Sequence, residues 1–356
     1  LVAMSHGMEF SVDLTIGSDT VKATVDTASS DTWVVTEGFD CRDANNKPQA
    51  YENCKFGPAV HIELDEIKDE HFYISYESNE WLYGKLGYSD VTVAGVTVKR
   101  QEIALVEKGY WDGDGKSSGL IGLAYKSLTS AYDGADASNN DNMNDTIEYN
   151  PLFTNMKDQG LVDPLFSLAI QRGESAGSFS IGGIPSQVNV KSGFVQTPIR
   201  VVDVASLNRT ASQRSFYTIY PDGFKYNRHS YNAKDQDLPF LVDSGTSVTY
   251  LPTKIAEDVL GMYDPPAHFR KDMGTWVVAC NATPPSFAVT IGDEDFFFDP
   301  ADMILQEIAD RQENLCNTGV DDGQMGPYVL GVTFLQNVVA VFDVDKAQMK
   351  FAEHEY

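Results

Sequence analysis

One short signature occurs twice in this chain, once in each half. Residues 24–30 read TVDTASS and residues 241–247 read LVDSGTS: an aspartate, a hydroxyl residue, a small residue and two more hydroxyl residues. A second motif follows each copy at a similar distance downstream, GLIG at residues 119–122 and VLG at residues 329–331. This repetition predicts two lobes of one design, which contribute one aspartate each, Asp26 and Asp243.

The residue types around each aspartate indicate a chemistry. An aspartate that ends a strand and precedes a small residue lies in a tight turn, where backbone amides approach its carboxylate. Ser29 and Thr246 are placed to donate hydrogen bonds to the outer oxygens of Asp26 and Asp243. If the lobes face each other, the two carboxylates meet and share one proton. The ionised member can then take a proton from water while the neutral member donates to a carbonyl oxygen, which hydrolyses an amide without metal, thiol or covalent intermediate.

Length and charge narrow the function classes. The 356 residues suffice for about two domains that bury a large core. Lys and Arg total 26 against 52 Asp and Glu, a net charge of −26, which makes nucleic acid and anionic membrane surfaces poor partners. No apolar run reaches the roughly 18 residues of a membrane span.

Strand-like patterns dominate the chain and predict a mostly β fold. Apolar and polar residues alternate over 10–17 and again over 91–98, where Ala94-Gly95 marks a hairpin turn. Four further strands are expected, at 166–170, 179–181, 338–343 and 349–352. Two short helices are expected at 150–159 and 252–260, and the polar stretches 133–149 and 220–237 are interpreted as surface loops.

These motifs resemble those of the pepsin-family aspartic proteases, and among them the fungal enzymes of the candidapepsin and yapsin kind. The resemblance covers nearly the whole chain; its anchors are residues 25–34, 119–125, 241–247 and 328–343. It implies two pseudo-twofold-related β lobes around a central cleft, with the first catalytic Asp and the flap in residues 1–165 and the second Asp in residues 166–356. The last strands would join a sheet between the lobes. No cofactor or metal is implied.

The family also carries a flap, a hairpin that closes over the substrate and bears a tyrosine. Tyr76 matches that tyrosine, and Trp33 is its expected hydrogen-bond partner. The usual Gly-rich tip is replaced by Glu77-Ser78-Asn79-Glu80-Trp81. A solvated charged tip is the favoured interpretation, and the alternative is that Glu77 or Glu80 accepts a basic substrate side chain.

Other positions take their roles from the same resemblance. Thr27 and Ser244 are expected to hydrogen-bond between the lobes, and Ala28 stands where glycine is usual. Leu120 and Gly245 are expected to contribute to the substrate site, where an extended peptide would bind through its backbone and apolar pockets.

Cysteines and glycosylation triplets favour an extracellular protein. Three disulfide pairings are possible, and the sequence-local one, which also fits the family, joins Cys41 to Cys54 and Cys280 to Cys316. Four free thiols in a cytosolic protein are the alternative. Candidate N-glycosylation acceptors are Asn144, Asn208 and Asn281.

The leading hypothesis is therefore a secreted, monomeric aspartic endopeptidase with an acidic optimum, with the vacuole or the cell wall as other locations. A catalytically silent relative that binds or inhibits proteins is the alternative, and a glycosidase with paired carboxylates is a third. Cysteine and serine hydrolases lack support, because no Cys adjoins a His-rich stretch and Ser29 has no G-x-S-x-G setting.

Overall fold

The computed structural model describes residues 1–4, 7–134, 146–172, 176–202, 213–234 and 236–355. Within these ranges, contacts divide the chain into two compact units. The Asp26 unit contains residues 10–163 and 201–216, and the Asp243 unit contains residues 1–9, 164–200 and 217–356. The repeated signatures therefore lie in different units. Strand β1 (Val2–Met4) opens the chain.

The Asp26 unit is built on one long sheet. Its strands are β2 (Glu9–Ile16), β3 (Asp19–Asp26), β4 (Thr32–Arg42), β5 (Asp65–Ser75), β6 (Trp81–Val93), β7 (Val96–Tyr110), β8 (Ser117–Gly122), β9 (Ala131–Asp133) and β10 (Thr146–Ile147). They are ordered β2-β3-β8-β4-β7-β6-β5-β9-β10. Helix α1 (Leu152–Asp158) buries Leu152, Phe153 and Met156. Two 3-10 turns lie at Tyr51–Cys54 and Lys126–Leu128.

The Asp243 unit distributes its strands over several sheets. In chain order they are β11 (Leu165–Ile170), β12 (Gly177–Ile181), β13 (Asn189–Val190), β14 (Val195–Pro198), β15 (Thr218–Ile219), β16 (Gly223–Tyr226), β17 (His229–Asn232), β18 (Phe240–Val242), β19 (Thr249–Leu251), β20 (His268–Arg270), β21 (Thr275–Ala279), β22 (Phe287–Ile291), β23 (Glu294–Phe297), β24 (Ile304–Asp310), β25 (Leu315–Thr318), β26 (Val320–Asp322), β27 (Tyr328–Leu330), β28 (Val338–Asp343) and β29 (Gln348–Glu355). The sheet that carries the second signature has the order β15-β18-β27-β19-β26. Its helices are α2 (Thr253–Leu260), α3 (Pro300–Met303) and α4 (Val332–Leu335).

The Asp243 unit also contains other sheets. One has the order β12-β11-β28-β29-β13, with β14 added to β29, and two four-stranded sheets have the orders β17-β16-β22-β23 and β20-β21-β25-β24. Strand β28 is buried along its whole length, and its first five residues, 338–342, are all apolar. The mostly β fold class expected from the sequence is confirmed.

Local sequence explains the β6–β7 turn and the start of α2. Strands β6 and β7 are joined by Ala94 and Gly95, which both have positive φ, as the tight hairpin turn requires. Pro252 precedes α2, whose buried residues Ile255, Ala256, Val259 and Leu260 recur three to four positions apart along one face.

Two loop predictions need correction. Residues 220–237 contain the hairpin of β16 and β17, where Phe224 and Tyr226 are buried while Lys225 between them is exposed. Strands of four residues offer too short an alternation to stand out in a polar, aromatic stretch. In the stretch 133–149, Thr146 and Ile147 pair with β9, and residues 135–145 lie outside the described residues.

No helix within the described ranges combines the length and the apolar character needed to cross a membrane.

Candidate active site

The first signature forms a tight turn at the end of β3. Asp26 is the last residue of that strand, is 7% exposed, and lies opposite Gly122 in the parallel pairing of β3 with β8. The backbone N–H of Ala28 donates to its Oδ1 over 2.8 Å, and the Ser29 hydroxyl donates to its Oδ2 over 2.6 Å. Each carboxylate oxygen therefore has a donor of its own within the turn.

The second signature repeats this arrangement in the Asp243 unit. Asp243 follows β18, which pairs in parallel with β27, and it is also 7% exposed. The N–H of Gly245 donates to its Oδ1 over 2.7 Å, and the Thr246 hydroxyl donates to its Oδ2 over 2.5 Å. The donors stand two and three positions after the aspartate in both units, so the sequence repeat is a repeat of hydrogen-bond geometry.

A glycine behind each turn makes the close packing possible. A Cβ on Gly122 would lie 2.6 Å from the backbone nitrogen of Asp31, and a Cβ on Gly331 would lie 2.1 Å from the carbonyl oxygen of Val248. Both contacts are with backbone and cannot be relieved by a side-chain movement. The glycine of each downstream motif is therefore required by the path of the chain.

The remaining residues of the signatures are placed as follows. Thr27 and Ser244 are buried, and Leu120 is 4% exposed inside the hydrophobic core, opposite Trp33 on β4. Leu120 is therefore packed in the core, and its contact with the substrate remains a prediction. Gly245 is exposed, which leaves its backbone accessible.

A five-residue loop, Tyr76 to Glu80, joins β5 to β6, and we call it the flap turn. The Tyr76 N–H donates to the carbonyl of Glu80 over 2.9 Å, and the Asn79 N–H donates to the carbonyl of Tyr76 over 3.0 Å. Asn79 has φ 69°, the left-handed conformation that glycine often supplies in such turns. The turn thus closes although the sequence carries no glycine at its tip.

Tyr76 is held by two tryptophans. The Trp33 Nε1–H donates to the Tyr76 hydroxyl oxygen over 2.9 Å, which is the expected pair. The Tyr76 ring also meets the edge of Trp111 at a centroid distance of 5.5 Å, and Trp111 meets Trp33 at 5.1 Å. Burial, followed by the charge of Asp26, raises the pKa of Tyr76 well above its usual value of 10, so its phenol stays neutral at physiological and acidic pH.

The two glutamates of the flap turn differ sharply. Glu77 is exposed. Glu80 accepts a hydrogen bond from the Ser78 hydroxyl at Oε2 and another from the backbone N–H of Asp112 at Oε1, both over 2.8 Å. Glu80 therefore already has partners within the protein, so only Glu77 remains as the candidate acceptor for a basic substrate side chain.

Buried acidic groups near the first turn were missed from the sequence. Asp31 is fully buried, and its Oδ1 accepts hydrogen bonds from the Tyr149 hydroxyl over 2.6 Å and from the Ser130 N–H over 2.9 Å. Burial, then the charges of Glu70 and Asp31, raises the pKa of Glu102 to about 7. Sequence patterns give no signal for these contacts, because they join segments about a hundred residues apart in the chain.

Comparison with known proteins decides the family. The family model for eukaryotic aspartyl proteases matches residues 9–354. The chain is 40% identical to "Probable aspartic-type endopeptidase" of Aspergillus fumigatus over 99% of this chain and 80% of the relative. It is 26% identical to "Acid protease" of Saccharomycopsis fibuligera over 93% and 77% of the two chains, and 24% identical to "Aspergillopepsin-1" of Emericella nidulans over 98% and 82%.

The chain belongs to the eukaryotic aspartyl protease family. This aspartyl protease is accordingly an aspartic-type endopeptidase with the mostly β, pepsin-like fold, and the relatives reported above are fungal.

Both disulfides of this aspartyl protease are of the sequence-local kind. Cys41, on β4, bonds to Cys54 in a 3-10 turn, and Cys280, just after β21, bonds to Cys316 on β25. The alternative of four free thiols is therefore wrong. Of the candidate glycosylation sites, Asn281 is exposed, whereas Asn144 and Asn208 lie outside the described residues.

Among the residues that the structure describes, no group of three or more His, Cys, Asp or Glu side chains is arranged to hold a metal ion.

Proposed function

We propose that Asp26 and Asp243 are the catalytic pair of this aspartyl protease and act together on one water molecule. The observation that carries the proposal is the repeated geometry: each carboxylate receives an amide N–H at Oδ1 and a hydroxyl at Oδ2. Two equivalent acids, each 7% exposed, suit a pair that shares one proton.

The chemistry of such a pair is general acid and base catalysis. The ionised carboxylate takes a proton from the water, whose oxygen attacks the peptide carbonyl carbon, while the neutral carboxyl group donates its proton to the carbonyl oxygen. The resulting tetrahedral intermediate collapses when its C–N bond breaks: one carboxyl group gives its proton to the amine nitrogen, and a hydroxyl group of the intermediate returns a proton to the other carboxylate as the carbonyl bond re-forms. Both carboxyl groups finish with the one proton they started with.

The hydroxyl donors give the pair its orientation. Ser29 and Thr246 each donate to Oδ2 of their own aspartate, which fixes the rotation of that carboxylate within its turn. Thr27 and Ser244, both buried, are proposed to hold the two signature turns together across the lobes.

An acidic working range follows from the shared proton. A pair that loses its last proton can no longer donate to the carbonyl oxygen, so activity must fall as pH rises. The net charge of −26 supports the same conclusion, because protonation of surface carboxylates at acidic pH relieves their mutual repulsion.

The substrate is proposed to be an extended peptide, covered by the flap turn with Tyr76 and lined near Asp243 by the exposed backbone of Gly245. Glu77, exposed on the flap turn, is proposed to favour a basic side chain next to the scissile bond. Glu77→Gln should lower cleavage after Lys or Arg relative to cleavage after Leu, and an unchanged ratio would end this part of the proposal.

We propose further that the enzyme works outside the cell as a monomer. Two disulfides and the exposed Asn281 in its N-A-T triplet suit an oxidising, glycosylating secretory route. One chain supplies both signatures, so catalysis requires no second copy.

Digestion of a denatured protein at acidic pH tests the proposed function. The wild-type chain should cleave it, a transition-state peptide inhibitor of aspartic proteases should stop cleavage, and Asp26→Asn should be inactive. Cleavage that resists the inhibitor, or an Asp26→Asn variant as fast as wild type, would contradict the proposal. A glycosidase would release sugars and leave the protein intact.

A further inference from the structure

The flap turn is bound to a neighbouring segment by its own glutamate. Glu80, the last residue of the turn, accepts the N–H of Asp112 at one carboxylate oxygen and the Ser78 hydroxyl at the other, each over 2.8 Å. Asp112 lies just beyond the end of β7, the strand that pairs with β6 at Trp81 and Tyr110. The glutamate therefore joins the tip of one hairpin to the chain that leaves the adjacent strand.

The segment that Glu80 contacts is itself anchored. Trp111 stacks on Phe56 at a centroid distance of 5.9 Å, and the Asp112 carboxylate pairs with Lys55 over 2.7 Å. Phe56 lies two residues after the disulfide-bonded Cys54. The Asp112 N–H therefore belongs to a segment whose side chains are held by contacts with Phe56 and Lys55.

The position of Tyr76 depends on the same turn. Its N–H donates to the carbonyl of Glu80, and its ring rests against Trp111, the residue before Asp112. If Glu80 moved away from Asp112, its carbonyl group, which accepts the Tyr76 N–H, would also move away from Trp111, which contacts the Tyr76 ring.

We propose that Glu80 is a positioning residue that clamps the flap turn to the Trp111–Asp112 segment and so holds Tyr76 in place for the proposed peptide hydrolysis. The inference rests on the proposed function only for its effect on catalysis; the clamp itself is a structural claim. A glycine or alanine at this position would lack this contact, because neither has a side-chain acceptor for the Asp112 N–H.

The clamp should respond to pH with a definite sign. Burial is the largest cause that raises the pKa of Glu80 above its usual 4.5, with a smaller contribution from the charge of Asp112, while the hydrogen bonds from Asp112 and Ser78 oppose the rise. The other charged or titratable groups around the clamp are Lys55, paired with Asp112, Tyr76 and Tyr110. Since the pKa is higher with Glu80 clamped than with Glu80 in water, protonation favours the clamped state. The clamp should therefore be tightest in acid and loosen as pH rises above the ordinary range of a glutamate.

Hydrogen exchange of the peptide spanning residues 74–82 tests the clamp directly. It is measured in an Asp26→Asn background, to suppress self-digestion, at about pH 4 and about pH 7.5 after correction for intrinsic rates. Glu80→Ala should raise exchange in this peptide by roughly tenfold at the lower pH, because the hydrogen bond between the Asp112 N–H and the half-buried Glu80 carboxyl group is lost. Glu80→Gln keeps an acceptor oxygen without the charge, so it should match the parent at the lower pH and exchange more slowly than the parent at the higher one.

Glu63→Ala is the matched control, because Glu63 is an exposed glutamate of the same unit. It should leave exchange of residues 74–82 unchanged. A general loss of stability in Glu80→Ala would raise exchange throughout the unit, whereas the proposal confines the increase to this hairpin. The clamp would be overturned if residues 74–82 of Glu80→Ala exchanged at the parental rate. It would also be overturned if the Glu80→Ala and Glu80→Gln variants exchanged at equal rates.

Kinetics on the active enzyme separate the clamp from the proposed function. Glu80→Ala should raise KM for a peptide substrate by about tenfold with a smaller change in kcat, and Glu80→Gln should restore the parental KM at acidic pH. Equal KM values for the Ala variant and the parent would overturn the catalytic role. If the parent itself fails to cleave peptides, the proposed function fails while the exchange measurement still decides the clamp.

Discussion

The Ser29 hydroxyl donates to Oδ2 of Asp26 over 2.6 Å, three residues along the same turn. Thr246 makes the equivalent bond to Asp243 in the other unit, over 2.5 Å. Because the two hydroxyls and the two amides occupy matching positions, the chain builds one carboxylate environment twice from different residues. This repeated environment is the basis for treating the two aspartates as partners.

Removal of either hydroxyl donor should lower activity. Ser29→Ala and Thr246→Ala each leave one carboxylate oxygen without its charge-assisted hydrogen bond, which typically contributes about 1.5–3 kcal/mol, so kcat/KM should fall by roughly 10- to 100-fold. Steady-state kinetics at acidic pH measure this. Thr246→Ser retains the hydroxyl and should stay near the wild-type value; a loss as large as that of Thr246→Ala would point to packing of the methyl group.

Substitution of Tyr76 should affect activity without introducing a new ionisation. Tyr76→Phe removes the acceptor of the Trp33 Nε1–H while keeping the ring against Trp111, so a several-fold loss in kcat/KM is expected from one hydrogen bond of about 1 kcal/mol. Since the Tyr76 pKa lies well above 10, the pH profiles of variant and wild type should have the same shape. A pH dependence that changes between the two would contradict the neutral role given to the phenol.

Glu102 should make the protein less stable at neutral pH than in acid. Its pKa in the folded chain is about 7 against an ordinary 4.5, so its protonated form is the one that folding favours. Its contribution is complete below about pH 4.5 and is lost as pH rises to about 7. Between these pH values the free energy of unfolding should therefore fall less in Glu102→Gln than in wild type. The difference between the two decreases should be about 2 kcal/mol.

Denaturant unfolding of wild type and Glu102→Gln at a series of pH values measures this difference. Glu107→Gln supplies the comparison, since Glu107 lies on the same strand but its side chain is 44% exposed and pairs with Lys85. Its curve should run parallel to that of wild type. Identical pH slopes for wild type and Glu102→Gln would show that Glu102 is not the group responsible.

The sequence was most informative where a local pattern dictates the structure. The repeated signatures, the Ala94-Gly95 hairpin and the strand of β28 depend on neighbours in the chain, and all are found where expected. The hairpin of β16 and β17 was missed because its strands are short, with too few alternations to identify them.

Contacts between segments that are far apart in the chain could not be predicted from local sequence patterns. The bonds from Tyr149 and Ser130 to Asp31, and from Asp112 to Glu80, depend on which strands become neighbours in the sheet. Glu77 and Glu80 are both glutamates of one charged tip, so the sequence does not distinguish their roles. Only the path of the chain after β7 brings a hydrogen-bond donor, the Asp112 N–H, to Glu80. The pairing of Trp33 with Tyr76 could be anticipated because the family resemblance supplied the long-range information.

The most direct test of the central claim compares Asp26→Asn, Asp243→Asn and the double variant by kcat at acidic pH. If the two carboxyl groups act as one unit on a shared water, each single substitution should lower kcat by about a thousandfold or more, and the double variant should be no slower than the single ones. A single variant that keeps the wild-type rate, or losses that multiply in the double variant, would contradict the account.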